Sequence, residues 1–581
     1  MKNLQKVAAI FLIAPTLLAQ GSRKAINFYD KEKENRTIFV GYCDVNFNLT
    51  TALTVTAWVK WADTVNVQDR WANICSNNSQ TTSDDGQWWL QHNQYNTMFE
   101  FAVKTVNSRS YVWAENTQIV KGVWYHLAGV YDANATDYRL KIYVNGRLDK
   151  GNNNTSGNIA PFNPNYLMKV GCWSFANYPR LFDGVIDEVT IWTRALSAEE
   201  IRELMCKKLT GTENGLAGYW DYEEGSGFTA HDRTSGGHDG WIFNEVGKAE
   251  SGGTYTLTDN DKNWPTNSLA GRWIAITNGQ GFKQRREIAS NTANTITVAE
   301  AWTTIPDGTS YYALTSTEEW CTSTAPVGDA SAWDFTGSAP SDFQVSLAHP
   351  NGDQVTVTGS SGTITGIQVY RIDAAPDNTT PPASWDHLDN TRYWGVILYG
   401  SGTPTYTFVY NYSGNPKVSQ GNENFLGMAY RSGGNRNGLE EPWQDLGATL
   451  DTQANTLSKT DQTGTEYALI WNEPPVAVKV YDFNAHVTGD GKVLLTWRAA
   501  HESGIAGYLV YRAEDPNGEY RQISDGLIPC RTEGEPFYQF IDLHTANGSC
   551  TYKLQIVFLD GHKEWYGRIN VLGTGVAHKN P

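Results

Sequence analysis

The sequence predicts an all-β protein built from several domains. Three observations carry that reading. Gly (54), Tyr (30) and Trp (22) are abundant, and with Thr and Asn they outweigh the strong helix formers. Apolar and polar residues alternate at a period of two in run after run. Short turn-forming segments with Gly, Asn and Asp separate those runs. At a soft ~150 residues per domain, 581 residues make roughly three to five domains. The apolar share is 40%, enough to offset chain entropy, which excludes a disordered chain. Acidic residues exceed basic ones by 62 to 45, for a net charge of −17. Phosphate binding needs clustered Lys and Arg, so this balance argues against a nucleic-acid partner. The seven cysteines contain no C-x-x-C and no Cys/His pair at zinc-finger distance.

The N-terminus reads as an export signal over residues 1–21. Lys2 and Lys6 give a positive start, Val7 to Leu18 is an apolar run broken by Pro15, and Ala19-Gln20-Gly21 is a small-x-small cleavage site. The run is shorter than the ~20 residues of a membrane span. No later stretch is apolar enough to cross a bilayer. The mature chain is therefore expected to be secreted or held at a cell surface, without a transmembrane segment.

The first domain is expected over residues 22–245. Thr54-Val55-Thr56-Ala57-Trp58-Val59-Lys60-Trp61 and Val123-Trp124-Tyr125-His126-Leu127-Ala128-Gly129-Val130 alternate as strands do. Leu140 to Asp149 reads as a hairpin, because Asn145-Gly146 can take the positive φ angles of a type I′ turn. One helix is expected, opened by the capping box Ser197-Ala198-Glu199-Glu200 and running to Met205.

Several segments here resemble the laminin-G-like, concanavalin A-like jelly roll of the bacterial type. They are Ala57-Trp58-Val59, Trp124-Tyr125-His126-Leu127-Ala128-Gly129, Tyr143-Val144-Asn145-Gly146, and Phe182-Asp183-Gly184-Val185-Ile186-Asp187-Glu188-Val189-Thr190-Ile191-Trp192 followed by Arg194-Ala195-Leu196-Ser197. The resemblance implies a two-sheet sandwich. It implies little about function, since the fold hosts lectins, adhesion modules and spacers. Leu216 to Gly227 is read as a trailing strand and loop of this domain.

Residues 247–317 are expected to form a small β domain and residues 325–473 a β-sandwich accessory domain. Pro474-Pro475 reads as a linker. Residues 476–575 resemble a fibronectin type III-like sandwich, on Val493-Leu494-Leu495-Thr496-Trp497, Gly507-Tyr508-Leu509-Val510-Tyr511-Arg512 and Tyr552-Lys553-Leu554-Gln555-Ile556-Val557. An oxidising compartment favours a disulfide between Cys530 and Cys550 over two free thiols.

Signatures of catalysis are missing from the sequence. Glucanases of the concanavalin-like fold carry E-x-D-x-x-E on one strand, which puts the carboxylates on one face. No Glu here has an Asp two residues on. The adjacent acidic pairs Asp84-Asp85, Glu199-Glu200, Glu223-Glu224, Glu318-Glu319 and Glu440-Glu441 read as solvated charge. There is no G-x-S-x-G, H-E-x-x-H or P-loop. His126 reads as a packed structural histidine. His231 and His238, beside Asp232 and Asp239, read as a solvated turn, with a metal site as the alternative.

The resemblance implies calcium as a candidate cofactor, because exported jelly rolls resemble calcium-binding modules and calcium takes six to eight oxygen ligands. Asp187 is the first candidate ligand, with Asp183 and Asp132 beside it; the equal alternative is that Asp187 bonds backbone N–H groups at a corner. Sugar C–H faces stack on apolar rings, so Trp88, Trp89, Trp113, Trp173, Phe175 and Tyr178 are candidate ligand-binding aromatics. Trp88 and Trp89 point to opposite faces if they share a strand, which predicts that one is exposed. The reading is an exported binding or adhesion protein, partnered by an extracellular polysaccharide or surface glycoprotein. The alternatives are a glycoside hydrolase or accessory subunit with its site in residues 320–473, and a structural component of a surface layer or filament.

Overall fold

The computed structural model describes the chain except for residues 1–23, 29–38, 43–45, 63–70, 79–85, 94–97, 174–179, 377, 433–441, 464, 474–478, 501, 503, 515–517, 532–535, 544–548, 560, 573–575 and 580–581. The export signal, Cys43, Phe175, Tyr178 and Pro474-Pro475 lie outside the described residues. The protein is almost entirely β-strand. Two compact units divide it, residues 1–471 and 472–581.

The first unit opens with a sandwich of two antiparallel sheets. One sheet runs in the order Arg147–Asn152, Leu140–Val144, Trp124–Asp132, Ala52–Trp61, Gly184–Trp192, Lys24–Asn27, Trp320–Thr322. The facing sheet includes Phe39–Tyr42, Leu167–Val170, Trp71–Asn78, Gly86–Asn93, Met98–Lys104 and Arg109–Trp113. Their inner faces interdigitate Val55, Val59, Trp88, Leu90, Phe101 and Ile186 in one apolar core. Gly129 has no side chain because Phe101 fills that space: a Cβ there would lie 2.2 Å from the ring. Asn145 (φ 50°) and Gly146 (φ 73°) make the expected left-handed turn between Leu140–Val144 and Arg147–Asn152.

The helix Ala198–Met205 starts as its capping box requires. Glu200 N donates to Ser197 Oγ (3.2 Å) and Ser197 N donates to Glu200 Oε2 (2.8 Å). Its buried Ile201 and Met205 face the outside of the first sheet.

Residues 247–317 have their own apolar core around Leu257, Trp264, Ile276 and Tyr312. Their strands nonetheless continue the second sheet, because Gly240–Lys248 pairs with Phe39–Tyr42 on one edge and Tyr311–Thr315 on the other. The chain then returns through Trp320–Thr322, which adds an edge to Lys24–Asn27. Beyond it, a ten-stranded assembly is organised by two long paired strands, Gln354–Ile372 and Tyr393–Asn411. Its outer face meets the first sandwich in a shared cluster containing Trp58, Trp124, Met205, Val327, Tyr370, Ile372 and Ile470.

Residues 472–581 form a second sandwich. A sheet of Lys479–Val487, Val493–Ala500 and Phe537–Asp542 faces one built on Ile505–Ala513, Cys550–Phe558 and Lys563–Leu572. Trp497 is fully buried between them, stacked on Tyr538 at 5.2 Å.

Cys530 and Cys550 are both free thiols, which corrects the expected disulfide. Strand register is the reason. Cys530 follows Pro529, which pairs with Gly507, and its Sγ reaches Ile505 O at 3.4 Å. Cys550 precedes Thr551, which pairs with Ala513 at the other end of the same strand. At ~3.3 Å per residue the two lie about 25 Å apart, far beyond bridging distance. Alkylation in denaturant without reductant should label both; protection of the pair would contradict the register.

Two core histidines set a pH dependence. Burial lowers the pKa of His92 to about 4 and of His126 to about 3. The folded state holds both neutral, while the unfolded chain protonates them from pH ~6.5 downward. Stability is therefore fully present above pH 6.5 and is lost as pH falls toward those folded values, by about 2 kcal/mol per histidine between pH 7 and 5. Glu100 and Glu188 act oppositely, because burial raises both and the folded state takes up their protons first. Urea midpoints of the parent and His126→Gln at the two pH values isolate one histidine. The variant should lose less on acidification; an equal loss would refute the assignment.

Candidate functional site

The outer face of the second sheet carries the site. Along Gly86–Asn93, Trp88 and Leu90 enter the core, so Trp89 and Gln91 point the other way. Glu100 pairs with Gln91 and with Trp113; Ala102 pairs with Trp89 and with Tyr111. Antiparallel register thus brings Trp89, Gln91, Glu100, Tyr111 and Trp113 onto one face.

Glu100 is the centre of this patch and only 1% exposed. Its Oε1 accepts from Trp89 Nε1 (2.8 Å) and Gln91 Nε2 (2.8 Å), and its Oε2 accepts from Trp113 Nε1 (2.6 Å). Burial pushes the carboxyl above its ordinary range; the three donors and the Arg180 charge pull it back. A carboxylate fed by several N–H donors is a strong acceptor, so it fixes the indoles that feed it. Trp113 is thereby held by its edge, parallel to Tyr111 (ring centroids 6.2 Å, interplanar angle 2°), and remains 39% exposed. Behind them Trp89 meets Trp173 edge-on at 5.2 Å and Tyr111 at 5.6 Å. The Arg109 and Arg180 guanidinia lie over Trp89 and Trp173 at 5.6 and 4.6 Å.

Of the candidate aromatics, Trp113 is the one the structure presents to solvent. Trp88 is fully buried in the core, and Trp89 is 1% exposed. The expectation that one of this pair be exposed is corrected: they do point to opposite faces, but Trp173, Tyr111 and Ala102 pack over the second. Trp173 is itself fully buried. Tyr178 lies outside the described residues. Glu100, which anchors Trp113, has no mark in the sequence beyond one charge in the strand Met98–Lys104.

The structure does not bring the candidate ligands Asp187 and Asp183 together. Asp187 is fully buried; its Oδ1 accepts from Glu188 N (2.8 Å) and its Oδ2 from Ser323 Oγ (2.5 Å). These bonds brace a bulge in Gly184–Trp192 where Glu188 takes φ 52°. Asp183 stands four residues back along an extended chain, about 13 Å away. Asp132 caps its own turn through Asn134 N (2.9 Å). His231 and His238 each pair with one carboxylate, Asp239 (3.0 Å) and Asp232 (2.9 Å). Among the described residues, the one trio of metal-ligating side chains that converges is Glu250, Asp259 and Asp261. Asp259 there accepts from Tyr312 OH (2.6 Å) and Asp261 N (3.1 Å).

Residues 38–202 match the Laminin_G_3 family, of the concanavalin A-like lectin/glucanases superfamily. No curated protein matches the chain. Among solved structures, it is similar to a putative carbohydrate binding protein from Bacteroides ovatus (17% identity, TM-score 0.29), over 38% of this chain and 58% of that one. The carbohydrate-binding module CBM40 of a Ruminococcus gnavus sialidase, solved with α2,3 sialyllactose, is similar at 13% identity and TM-score 0.24, over 32% of this chain and 96% of that one. The NanB sialidase of Streptococcus pneumoniae is similar at 10% identity and TM-score 0.23, over 96% of this chain and 92% of that one. No helix among the described residues is long and apolar enough to cross a membrane.

Proposed function

We propose that the protein is an exported, non-catalytic glycan-binding protein, and that the outer face around Trp113 is its binding surface. The observation that carries this reading is the exposed Trp113, locked edge-on by Glu100 and parallel to Tyr111. A ring held in one orientation binds a sugar face without the entropy loss of ordering a side chain. Glycoside cleavage needs two carboxyl groups about 5–9.5 Å apart. The Glu100 oxygens are taken up by three N–H donors, from Trp89, Gln91 and Trp113. Export rests on the N-terminal signal, and adhesion at a cell surface is its natural setting. In this reading the middle sandwich and the C-terminal sandwich, fibronectin type III-like by its strand motifs, act as spacers.

A glycan array with the mature full chain, run with calcium and again with chelator, tests the proposal. Binding to a defined glycan in both conditions is expected, because the Glu100 oxygens that hold Trp113 are already taken up by three N–H donors. Absence of binding in both would overturn it.

A further inference from the structure

A second aromatic surface lies on the C-terminal sandwich. Ile505–Ala513, Cys550–Phe558 and Lys563–Leu572 are neighbours in one sheet. Their register places Tyr511 opposite Lys553, and Gln555 opposite Trp565. The alternate residues Tyr508, Val510, Leu554 and Ile556 fill the core of the sandwich, so Tyr511, Lys553, Gln555 and Trp565 face outward.

Trp565 is 52% exposed, an uncommon cost for so large a ring on a soluble surface. It is not isolated. Tyr511 meets it edge-on at 4.8 Å, and Tyr520 approaches at 6.4 Å. Tyr511 is pinned in turn by donating its hydroxyl to Gln555 Oε1 (3.0 Å). The Lys553 ammonium sits over Tyr520 at 4.3 Å and farther from Trp565, at 5.6 Å, so most of the indole stays open. Among the described residues no carboxylate pairs with Lys553, in a chain with 62 acidic residues and 45 basic ones. Residues 472–581 hold 10 basic and 13 acidic residues, so little of the overall negative charge resides in this unit. The Tyr520 hydroxyl is buried and has no hydrogen-bond partner.

We propose that this corner is a second saccharide-binding site, for an acidic sugar bearing a carboxylate. A pyranose stacks its C–H face on Trp565, and its carboxylate meets Lys553. The exposed Gln522 amide, whose Nε2 also donates to Ser524 O (2.9 Å), offers further hydrogen bonds to ring hydroxyls. An exposed flat ring beside a cation that no described carboxylate pairs selects for two ligand features, an apolar face and a negative charge. Uronic acid units carry both.

The test is calorimetric titration of the full-length protein with trigalacturonate, and with maltotriose as the neutral control. Trigalacturonate binding is expected to exceed maltotriose binding and to weaken as salt rises. Trp565→Ala should weaken it about tenfold, and Lys553→Gln about threefold, the size of an exposed stacking or cation contact. Lys553→Gln removes the charge while keeping a polar side chain one atom shorter, and unchanged thermal unfolding of both variants shows that the sandwich survives. Trp113→Ala should leave this binding in place, which separates the site from the jelly-roll surface. Equal binding of both sugars, trigalacturonate binding unmoved by either variant, or no binding at all would each overturn the proposal.

Discussion

Trp113→Ala should abolish measurable binding to the glycan that the array identifies, or weaken it at least tenfold, while leaving the fold intact. Aromatic stacking is worth about 1–3 kcal/mol per ring where it has been isolated by alanine substitution, and tenfold corresponds to about 1.4 kcal/mol. Stability should hardly move, because Trp113 sits on Arg109–Trp113, the edge strand of its sheet, and is 39% exposed. Glu100→Gln sharpens the test. Glu100 is a positioning residue: it touches Trp113 and is itself buried. A glutamine keeps the volume but offers an N–H where an indole N–H already points. The expected result is a several-fold loss of binding together with a change in Trp113 fluorescence anisotropy. Loss of affinity with unchanged anisotropy would place Glu100 in direct contact with ligand instead. Full binding by Trp113→Ala would move the site off this face.

Trp58→Ala should be the most destabilising single change on the first unit, by about 3–5 kcal/mol, the cost of removing a fully buried large ring. Trp58 is 1% exposed and donates its indole N–H to Met205 O at 2.5 Å. It packs edge-on against His126 and belongs to the cluster shared with Tyr370, Ile372 and Ile470. The change therefore loosens the seat of the helix and the contact between the first sandwich and residues 325–471 together. Differential scanning calorimetry should show the transition of residues 1–471 moving to lower temperature as one event. The transition of residues 472–581 should stay where it is, because those residues cluster as a separate unit. If residues 325–471 melt on their own and unshifted, the shared cluster does not couple them.

Some of this architecture was plain in the sequence because its causes are short-ranged. Asn145-Gly146 needs positive φ at two adjacent residues, and few other pairs tolerate that. Ser197 and Glu200 satisfy each other's backbone within one helical turn. Alternation at period two placed Trp88 and Trp89 on opposite faces correctly. Other features failed to show because their causes lie far along the chain. One of Trp88 and Trp89 was expected to be exposed on the strength of their own strand, and the outward one, Trp89, is covered by Trp173 from a segment 84 residues later. Cys530 and Cys550 are separated by only 20 positions in sequence, and register sets them at opposite ends of one strand.

The sequence by itself determined the all-β class, the turn and cap positions, the jelly-roll motif order and Trp113 as a candidate. Each follows from residue chemistry acting over a few neighbours. Tertiary structure alone decided which aromatic is open, which carboxylate matters and which thiols stay apart. Glu100 becomes an anchor only when pairing brings Trp89 and Gln91 from one neighbouring strand and Trp113 from the other. Burial and hydrogen-bond convergence are properties of strands brought side by side, and no stretch of a single strand records them.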